Sequence, residues 1–564
     1  MDDNFEKYIQ SIDVSTSFLK NRANGILLTD EDVEILDRYG IDYQNCSNEY
    51  RETKKEKKYK KFRQDYLYFN RKKHNKNFIK KELEETSNLL DNVCGYALDK
   101  QQRQIVVTDE ENTLVIAGAG SGKSLTIIGK IRYLIERKHV KQNDILCISF
   151  TNEACNSLKN KLLNEYQYNI SVLTFHKLAL QILKENDIEY QIVDSDYLEY
   201  IIEEIMEQEK IKKEIQSQFP NKPYLQIKRI IATFIKLYKT SIYDFSFYDQ
   251  ILKKHTVKKE EKKLLKLIYK IHQIYDLELK SMGKIDFDDM LHMANFLTLK
   301  KEIKHSYKYI IIDEYQDTSY VKFELIHHIL EKTGAHLLAV GDDYQSIYRF
   351  TGCNLNIFLD FKKYFKNACI MKIENTYRNS LELIQVTTKF ILKNKKQIKK
   401  KLSSNKHIFY PIQYIFYNNK KEIFKKLILD IYKNDNPEIM ILGRNNSDIY
   451  SVIDHDFLLK GNQVVYLKNE NIQMKFYTVH KSKGLESETV IIINMEDRIL
   501  GFPSQIEEDR ILRFVLNQKE YYPFEEERRL FYVALTRTKN EVYLLIPVNK
   551  PSIFAKELQQ KKWC

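Results

Sequence analysis

The sequence has 564 residues, more than a single hydrophobic core usually holds, so we expect several domains. Its 91 lysines and arginines exceed its 78 aspartates and glutamates, and the formal net charge of +13 favours a polyanionic partner, although a lysine-rich composition alone can produce much of it. The seven cysteines contain no Cys-x-x-Cys pair, which argues against a zinc site or a disulfide framework. With no signal-peptide pattern and no membrane-length apolar run, we expect a soluble, cytoplasmic protein.

Residues 1–94 form a charged arm that we predict to be mostly helical. Within it, the stretch 54–63 interleaves cations with aromatic residues, and a second basic stretch follows at 71–76. This pattern suits a nucleic-acid backbone with occasional base stacking, but a solvated helix face explains it at least as well. The sequence therefore assigns no function to the arm, which could also be where a protein partner binds.

A glycine-rich loop at 117–124 is the most informative stretch of the chain. It follows a short apolar strand and precedes an apolar stretch at 125–131 that suits a helix. This order indicates the phosphate-binding loop of a nucleotide triphosphatase, because backbone N–H groups and a helix N-terminus can surround phosphate oxygens. Lys123 can reach the outer phosphates and the Ser124 hydroxyl can hold Mg²⁺, so we predict ATP or GTP binding. The loop comprises Ala117 (where the general pattern has glycine), Gly118, Ala119, Gly120, Ser121, Gly122, Lys123 and Ser124.

A second apolar strand, at 144–149, ends in polar residues, which is where an open α/β sheet places its ligands. Residues from about 156 to 300 are amphipathic, rich in lysine and glutamate and poor in glycine and proline, so we predict a helical insertion.

A third apolar strand, at 309–312, delivers two carboxylates to the same edge of the predicted sheet. ATP hydrolysis needs both: Asp313 would hold Mg²⁺ against the nucleotide, and Glu314 would orient and deprotonate the attacking water. A solvated acidic turn is a poor alternative, because an apolar strand and a phosphate loop accompany this pair.

Together these segments resemble the motifs of superfamily 1 helicases of the UvrD/Rep type. The resemblance covers roughly residues 95–555, and the motifs stand in the order that the family has. It includes further segments at 98–106, 174–176, 336–352, 374–380, 477–486 and 525–538.

The resemblance implies that the nucleotide is ATP. It places the adenine beside Gln102, whose amide can both donate to and accept from one purine edge, and Tyr377 could stack on the same base. It implies that Gln345 contacts the γ-phosphate and that Arg378 and Arg537 are arginine fingers, which neutralise charge on the transferred phosphoryl group. Two more residues are expected near the nucleotide, Gly484 and Glu486.

The resemblance also implies a path for single-stranded DNA, because hydroxyl and amide groups suit phosphates and aromatic rings suit base faces. Phe350 would stack on a base and couple hydrolysis to movement; with Thr351 after it, where UvrD and Rep usually have Trp-Arg, this segment resembles the helicase IV branch of the family. For Phe175 taken alone, packing in the core is the better explanation. The expected DNA contacts are Phe150, Thr151, Asn152, Thr174, Phe175, His176, Phe350, Thr478 and His480.

The implied fold is α/β, with two RecA-like P-loop domains whose parallel sheets are flanked by helices. About 100 residues separate Arg378 from Thr478, so the large 2B insertion of UvrD and Rep is expected to be reduced or absent, and no nuclease domain fits after the last strand. The expected division is a 1–94 arm, domain 1A at 95–155 and 301–355, helical subdomain 1B at 156–300, domain 2A at 356–550 and a 551–564 tail.

The expected function is that of an ATP- and Mg²⁺-dependent 3′–5′ helicase, a monomer or weak dimer that moves on single-stranded DNA and unwinds tailed duplex in repair, recombination or replication. Polarity and the preference for DNA over RNA come from the family alone. One alternative is a single-strand translocase acting with a partner nuclease in repair or phage defence. Another is a nucleotide-gated DNA-binding protein without unwinding, which is disfavoured because Lys123, Asp313, Glu314, Arg378 and Arg537 are all present.

Overall fold

The computed structural model describes residues 78–559, except 195, 242, 302–303, 305–306, 366–367, 436 and 517–521. Most of the predicted N-terminal arm, at 1–77, therefore lies outside the described residues, as do residues 560–564. The described chain forms two sheets, each flanked by helices, and a separate group of helices, so the predicted α/β fold class is confirmed.

The strands are β1 (Asn112–Ala117), β2 (Ile145–Ile148), β3 (Ser171–Leu173), β4 (Gln191–Ile192), β5 (Lys284–Ile285), β6 (Tyr309–Ile312), β7 (His336–Gly341), β8 (Cys369–Ile373), β9 (Ile412–Tyr417), β10 (Ile439–Gly443), β11 (Phe457–Lys460), β12 (Gln463–Tyr466), β13 (Gln473–Thr478), β14 (Ser487–Ile492) and β15 (Thr538–Pro547). The helices are α1 (Ser87–Asp91), α2 (Lys100–Val107), α3 (Lys123–Arg132), α4 (Asn152–Tyr166), α5 (Phe175–Glu185), α6 (Tyr197–Glu207), α7 (Glu209–Gln218), α8 (Tyr224–Lys239), α9 (Ser246–Leu252), α10 (Lys259–Ser281), α11 (Phe287–Lys300), α12 (Tyr320–Thr333), α13 (Leu355–Leu359), α14 (Phe361–Tyr364), α15 (Leu381–Ile391), α16 (Lys420–Asp435), α17 (Glu525–Leu535) and α18 (Ile553–Gln559). Within the described ranges, none of the helices has both the length and the apolar character needed to cross a bilayer.

The first sheet has six parallel strands in the order β3-β2-β6-β7-β1-β8. Its central strands are short apolar runs because helices cover both faces, and a strand buried on both sides needs no polar alternation. We call this sheet and its helices lobe 1. In the parallel arrangement, β1, β2, β6 and β7 all end at one edge, which is where the predicted site residues begin.

Two strands of lobe 1 lie outside the ranges predicted for domain 1A, 95–155 and 301–355. β3 pairs with β2, and β8 pairs with β1 at the far edge of the sheet. Lobe 1 is therefore larger than those ranges. β3 has only three residues and β8 is mostly half-buried, so neither has the long apolar run from which a strand could be recognised.

The second sheet, with its helices, forms lobe 2. Its seven strands run in the order β11-β12-β13-β10-β14-β15-β9, parallel except for the antiparallel pairs β11–β12 and β12–β13. The chain between Arg378 and Thr478 is used by α15, β9, α16 and β10–β13, and its described residues contain no additional domain. The short spacing in the sequence thus corresponds to a lobe without an outer insertion there.

Helices α6 to α10 form a compact group with a hydrophobic core of its own. This core also receives side chains from a distant part of the chain, the segment 508–516 that follows lobe 2's strand β14, which we call the strap. Ile511, Leu512 and Val515 of the strap are buried in the helical core. The helical group, inserted in lobe 1, is therefore also attached to lobe 2.

Candidate nucleotide and DNA site

The phosphate loop joins β1 to α3, and the helix begins at Lys123. Gly120 and Gly122 have φ angles of 69° and 77°, and a Cβ on Gly122 would lie 2.6 Å from the Gln102 side chain. The loop is therefore restricted to glycine at these points, and the N-terminal backbone amides of α3 stand where they can bind an anion. The buried Ser121 hydroxyl has no hydrogen-bond partner among the described residues, so this hydroxyl in the phosphate loop is available to bond a phosphate oxygen of a nucleotide.

The two predicted adenine contacts differ in how available they are. Gln102 lies beside the loop but is only 1% exposed: its Oε1 accepts from the Asp99 backbone N–H at 2.9 Å and its Nε2 donates to the Ser121 carbonyl at 3.1 Å. Its amide thus caps α2 and supports the loop, and these bonds use one of its two N–H donors and one of the two lone pairs of its oxygen. Tyr377 is 61% exposed, and its hydroxyl donates to Asp99 at 2.9 Å, so its ring face is open to a base.

Asp313 and Glu314 follow β6 at the same edge of the sheet. Lys123 Nζ lies 3.7 Å from Glu314 Oε1, and Glu314 has a φ of 52°, an unusual backbone conformation of the kind that clusters at functional sites. Burial and the charge of Glu314 raise the pKa of Asp313 to about 7. Burial acts in the same direction on Glu314, but Lys123 and Lys483 outweigh it and lower the pKa of Glu314 to about 2. A divalent cation at Asp313 would favour its ionised form, and a carboxylate oxygen is a ligand of the kind that Mg²⁺ prefers.

Gln345 lies just beyond β7, in a short 3-10 turn, and links the two lobes. Its Oε1 accepts from Arg537 Nη2 at 2.9 Å, and its Nε2 donates to Asp342 Oδ2 at 2.6 Å. Arg537 follows α17 of lobe 2, and burial together with the nearby charge of Arg378 lowers its pKa to about 9. The predicted γ-phosphate contact and one predicted arginine finger therefore meet directly.

Arg378, the other predicted finger, lies against the phosphate loop. The backbone N–H of Tyr377 donates to the Gly120 carbonyl at 2.9 Å, and a Cβ on Gly120 would lie 2.5 Å from that of Arg378. The Arg378 guanidinium donates to Glu486 at 2.7 Å and to the Thr536 carbonyl at 3.3 Å. Like Arg537, which donates to Gln345, it is therefore hydrogen-bonded to protein groups. Gly484 forms the turn before Glu486 with a φ of 85°.

Two residues at this site were not singled out from the sequence. Lys483 of lobe 2, whose side chain is 7% exposed, pairs with Asp317 of lobe 1 and donates to the Gln345 carbonyl at 2.7 Å. Gln316 donates to Glu314 at 2.5 Å and accepts from the Asp342 backbone N–H at 2.9 Å. Both lie in segments that resemble the family motifs, but neither residue type by itself indicated a role.

The predicted DNA residues include a row of aromatic rings that crosses from lobe 1 to lobe 2. Phe150 stacks on Tyr348 with centroids 5.3 Å apart, and Phe350 contacts His480 edge-on at 5.3 Å. Tyr348, missed in the sequence, joins the two pairs, because its ring lies 6.2 Å from Phe350 and its hydroxyl donates to the His480 carbonyl at 3.1 Å. Phe350 is 48% exposed and offers a surface for a base.

The remaining predicted DNA residues of lobe 1 lie at helix N-termini, apart from one in the core. Thr151 and Thr174 cap α4 and α5 through their hydroxyls, and Asn152 is exposed beside Thr151. His176 is partly exposed, whereas Phe175 is only 4% exposed and packs in the core of lobe 1. The prediction of Phe175 as a DNA contact is therefore corrected: its ring has no free face for a base.

In lobe 2, Thr478 is buried at the end of β13 and accepts a long hydrogen bond from the Lys481 backbone N–H at 3.4 Å. His480 follows it. Burial and the charge of Arg444 lower the pKa of His480 to about 4, so the ring is neutral near pH 7 and contributes to the row as an aromatic group, not as a cation.

The chain is similar to two family models. One, the UvrD/REP helicase N-terminal domain, matches residues 98–366, and the other, the UvrD-like helicase C-terminal domain, matches residues 452–548. The first match contains the phosphate loop, the two carboxylates, Gln345 and Phe350, and the second contains His480 and Arg537.

Curated relatives carry similar descriptions. DNA helicase IV of Escherichia coli (strain K12) is 26% identical over 527 residues, which is 86% of this chain and 73% of that protein. ATP-dependent DNA helicase Rep of Buchnera aphidicola subsp. Baizongia pistaciae (strain Bp) is 30% identical over 405 residues, which is 68% of this chain and 56% of the relative. Rep of Buchnera aphidicola subsp. Schizaphis graminum (strain Sg) is 28% identical over 468 residues, 78% of this chain and 66% of the relative.

Proposed function

We propose that this chain, which belongs to the UvrD/Rep family of DNA helicases, hydrolyses ATP to move 3′→5′ along single-stranded DNA and to unwind duplex. The observation that carries the proposal is the meeting of the two lobes at one cleft. There the phosphate loop and Glu314 of lobe 1 face Arg537 of lobe 2, which already contacts Gln345. The 3′→5′ direction is taken from the family resemblance.

The residues of lobe 1 would bind and orient the nucleotide. When bound, Mg·ATP supplies the phosphoryl group that is transferred to water. Lys123 and the amides of the loop would hold its phosphates, and Ser124 and Asp313 would hold the metal. Glu314 would orient the attacking water; as Lys123 turns toward phosphate, Glu314 loses a nearby cation and becomes a better base.

The two predicted arginine fingers would make closure of the cleft depend on the nucleotide. Arg378 donates to Glu486, and Arg537 donates to Gln345. A γ-phosphate offers both guanidinium groups a stronger, charged acceptor, so its binding would draw the lobes together and its loss would release them. Because the ring row spans both lobes, this movement would shift the rings of one lobe against those of the other.

We further propose that the protein acts in the cytoplasm, as a monomer or weak dimer, on single-stranded and tailed duplex DNA during repair, recombination or replication. A second candidate is a single-strand translocase that serves a partner, such as a separately encoded nuclease. The described residues between Arg378 and Thr478 contain no outer domain, and this observation favours the translocase as the second candidate.

The test is ATP-driven strand separation on duplexes with a 3′ tail, a 5′ tail or blunt ends. We expect separation only with the 3′ tail, because the family resemblance implies that polarity. Glu314→Gln keeps the shape of the side chain but removes the carboxylate, and should abolish both hydrolysis and unwinding while the protein still binds single-stranded DNA.

DNA-stimulated hydrolysis without strand separation on any of the three duplexes would support the translocase that needs a partner. A wild-type protein that binds DNA and ATP but hydrolyses nothing would contradict both proposals and leave a nucleotide-gated DNA-binding protein.

A further inference from the structure

Lys400 is a fully enclosed lysine in the connection between α15 and β9, next to the phosphate loop. Its side chain is 1% exposed, although it stands among exposed lysines in a basic stretch of the sequence. Burying an ammonium group is costly unless opposite charges compensate it, so a lysine held this way needs an explanation.

Lys400 joins three parts of lobe 1. Its ammonium pairs with Asp342 Oδ1, lies 2.7 Å from Asp343 Oδ1, and lies 3.4 Å from the carbonyl of Ala117, the residue that begins the phosphate loop. It also sits 3.8 Å from the centre of the Tyr344 ring. Burial alone would lower the pKa of Lys400, but the two carboxylates outweigh it and raise the pKa, so the group stays charged.

The two carboxylates have different further partners. Asp343 Oδ2 accepts from Gln397 and from the Ile398 backbone N–H, so it fastens the local chain. Asp342 Oδ2 accepts from Gln345 Nε2 at 2.6 Å, which leaves Gln345 Oε1 to accept from Arg537 at 2.9 Å. A line of charge and hydrogen bonds therefore runs from Lys400 through Asp342 and Gln345 to lobe 2.

We propose that Lys400 is a positioning residue for ATP hydrolysis: by fixing Asp342, it sets the orientation of the Gln345 amide toward the γ-phosphate and Arg537. The proposal rests on the proposed ATPase function and adds a residue to it. An amide can rotate to exchange its donor and acceptor ends, and an ionised Asp342 held by Lys400 accepts only, so it selects the orientation in which Gln345 Oε1 faces the finger.

The test is a double-mutant cycle on the single-strand-stimulated ATPase, using Lys400→Met, Gln345→Ala and the double variant. We expect Lys400→Met to lower kcat at least tenfold, to change KM for ATP less than threefold, and to leave the Kd for an oligothymidine strand without nucleotide unchanged. Because Lys400 acts through Gln345, the double variant should have the kcat of Gln345→Ala within twofold.

Asp343→Asn is the matched control, because it removes the other carboxylate charge beside the Lys400 ammonium, and the Asp343 side chain bonds to Gln397 and Ile398, not to Gln345; its kcat should stay within threefold of wild type. Additive effects in the cycle, a wild-type kcat in Lys400→Met, or an equal loss in Asp343→Asn would overturn the proposal while the ATPase function stands. If Lys400→Met loses its cooperative thermal unfolding, Asp342→Asn replaces it in the same cycle with the same expectation. A wild-type protein without ATPase activity contradicts the proposed function itself.

Discussion

Phe150 and Phe350 differ in the surface they leave for a base. The Phe150 ring stacks on Tyr348, and Lys322 Nζ lies 4.8 Å from its centroid, so neighbours already contact it on more than one side. Phe350 is half exposed and contacts its neighbours edge-on, which leaves ring surface free. Phe350 is therefore the ring of this row best placed to accept a base, and Lys322 is a cation beside the Phe150 ring at the other end of the row.

Lys322 provides a prediction about the salt dependence of DNA binding. It has no hydrogen-bond or ion-pair partner among the described residues, so its charge is available to a phosphate. In Lys322→Gln, the slope of log affinity for single-stranded DNA against log salt should be smaller by about 0.7, the effect of one phosphate contact. Lys332→Gln, at the other end of α12, is the control; an unchanged slope in Lys322→Gln would exclude the contact.

His272 provides a prediction about pH and stability. It is buried in the helical group, where its Nδ1 faces the Tyr248 hydroxyl at 2.9 Å, and burial together with the charge of Lys239 lowers its pKa from 6.5 to about 3. Below pH 6.5 the unfolded chain therefore binds a proton that the folded chain does not. This contribution lowers the free energy of unfolding as the pH falls from 6.5 toward 3, and it is absent above pH 6.5.

In His272→Gln, which cannot titrate, the stability deficit relative to wild type should shrink on acidification, by at most about 1.4 kcal/mol per pH unit. Urea unfolding between pH 7 and pH 4 measures it, with the exposed His455→Gln as the control. A deficit that stays constant or grows would show that the His272 pKa is not lowered.

At the scale of elements, the strap attaches lobe 2 to the helical group, and no sequence motif predicts this contact. It inserts Ile511, Leu512 and Val515 into the helical core, while Arg513 makes two hydrogen bonds to Glu261 at 2.8 and 3.0 Å on the surface. The buried residues should carry most of the stabilisation, because removing apolar atoms from a core leaves a cavity, whereas exposed ion pairs contribute little.

We therefore expect Ile511→Ala to lower the free energy of unfolding by about 2–5 kcal/mol and Arg513→Ala by less than about 1 kcal/mol. Denaturant unfolding followed by circular dichroism compares the two. Equal, small losses in the free energy of unfolding for the two variants would show that the apolar side chains of the strap contribute little to stability.

At the scale of the whole molecule, the sequence predicts what local patterns dictate. Apolar runs that end in polar residues identify the strands, and the phosphate loop, Asp313 and Glu314 follow from their spacing on those strands. Since parallel strands end at one edge, these residues had to meet. The second lobe was predicted from the family resemblance, which is now confirmed.

What the sequence could not predict depends on contacts between distant segments. Phe175 stands in a motif of DNA contacts, yet the packing of α5 against the sheet buries it. Gln102 lies beside the phosphate loop, and only the folded chain shows that its amide donates to the Ser121 carbonyl of that loop. Lys400 lies among other lysines, and only the path of the chain past Asp342 selects it for burial.

The strap has a mechanical consequence. The helical group is fastened to lobe 1 where Lys239 meets Asp286 and Asp289, at 2.5 and 2.6 Å, and to lobe 2 through the strap. Lobe 1, lobe 2 and the helical group are thus each in contact with the other two, so a shift at one of these contacts has to be accommodated at another. We therefore expect opening of the ATP cleft to move the helical group relative to at least one of the two lobes.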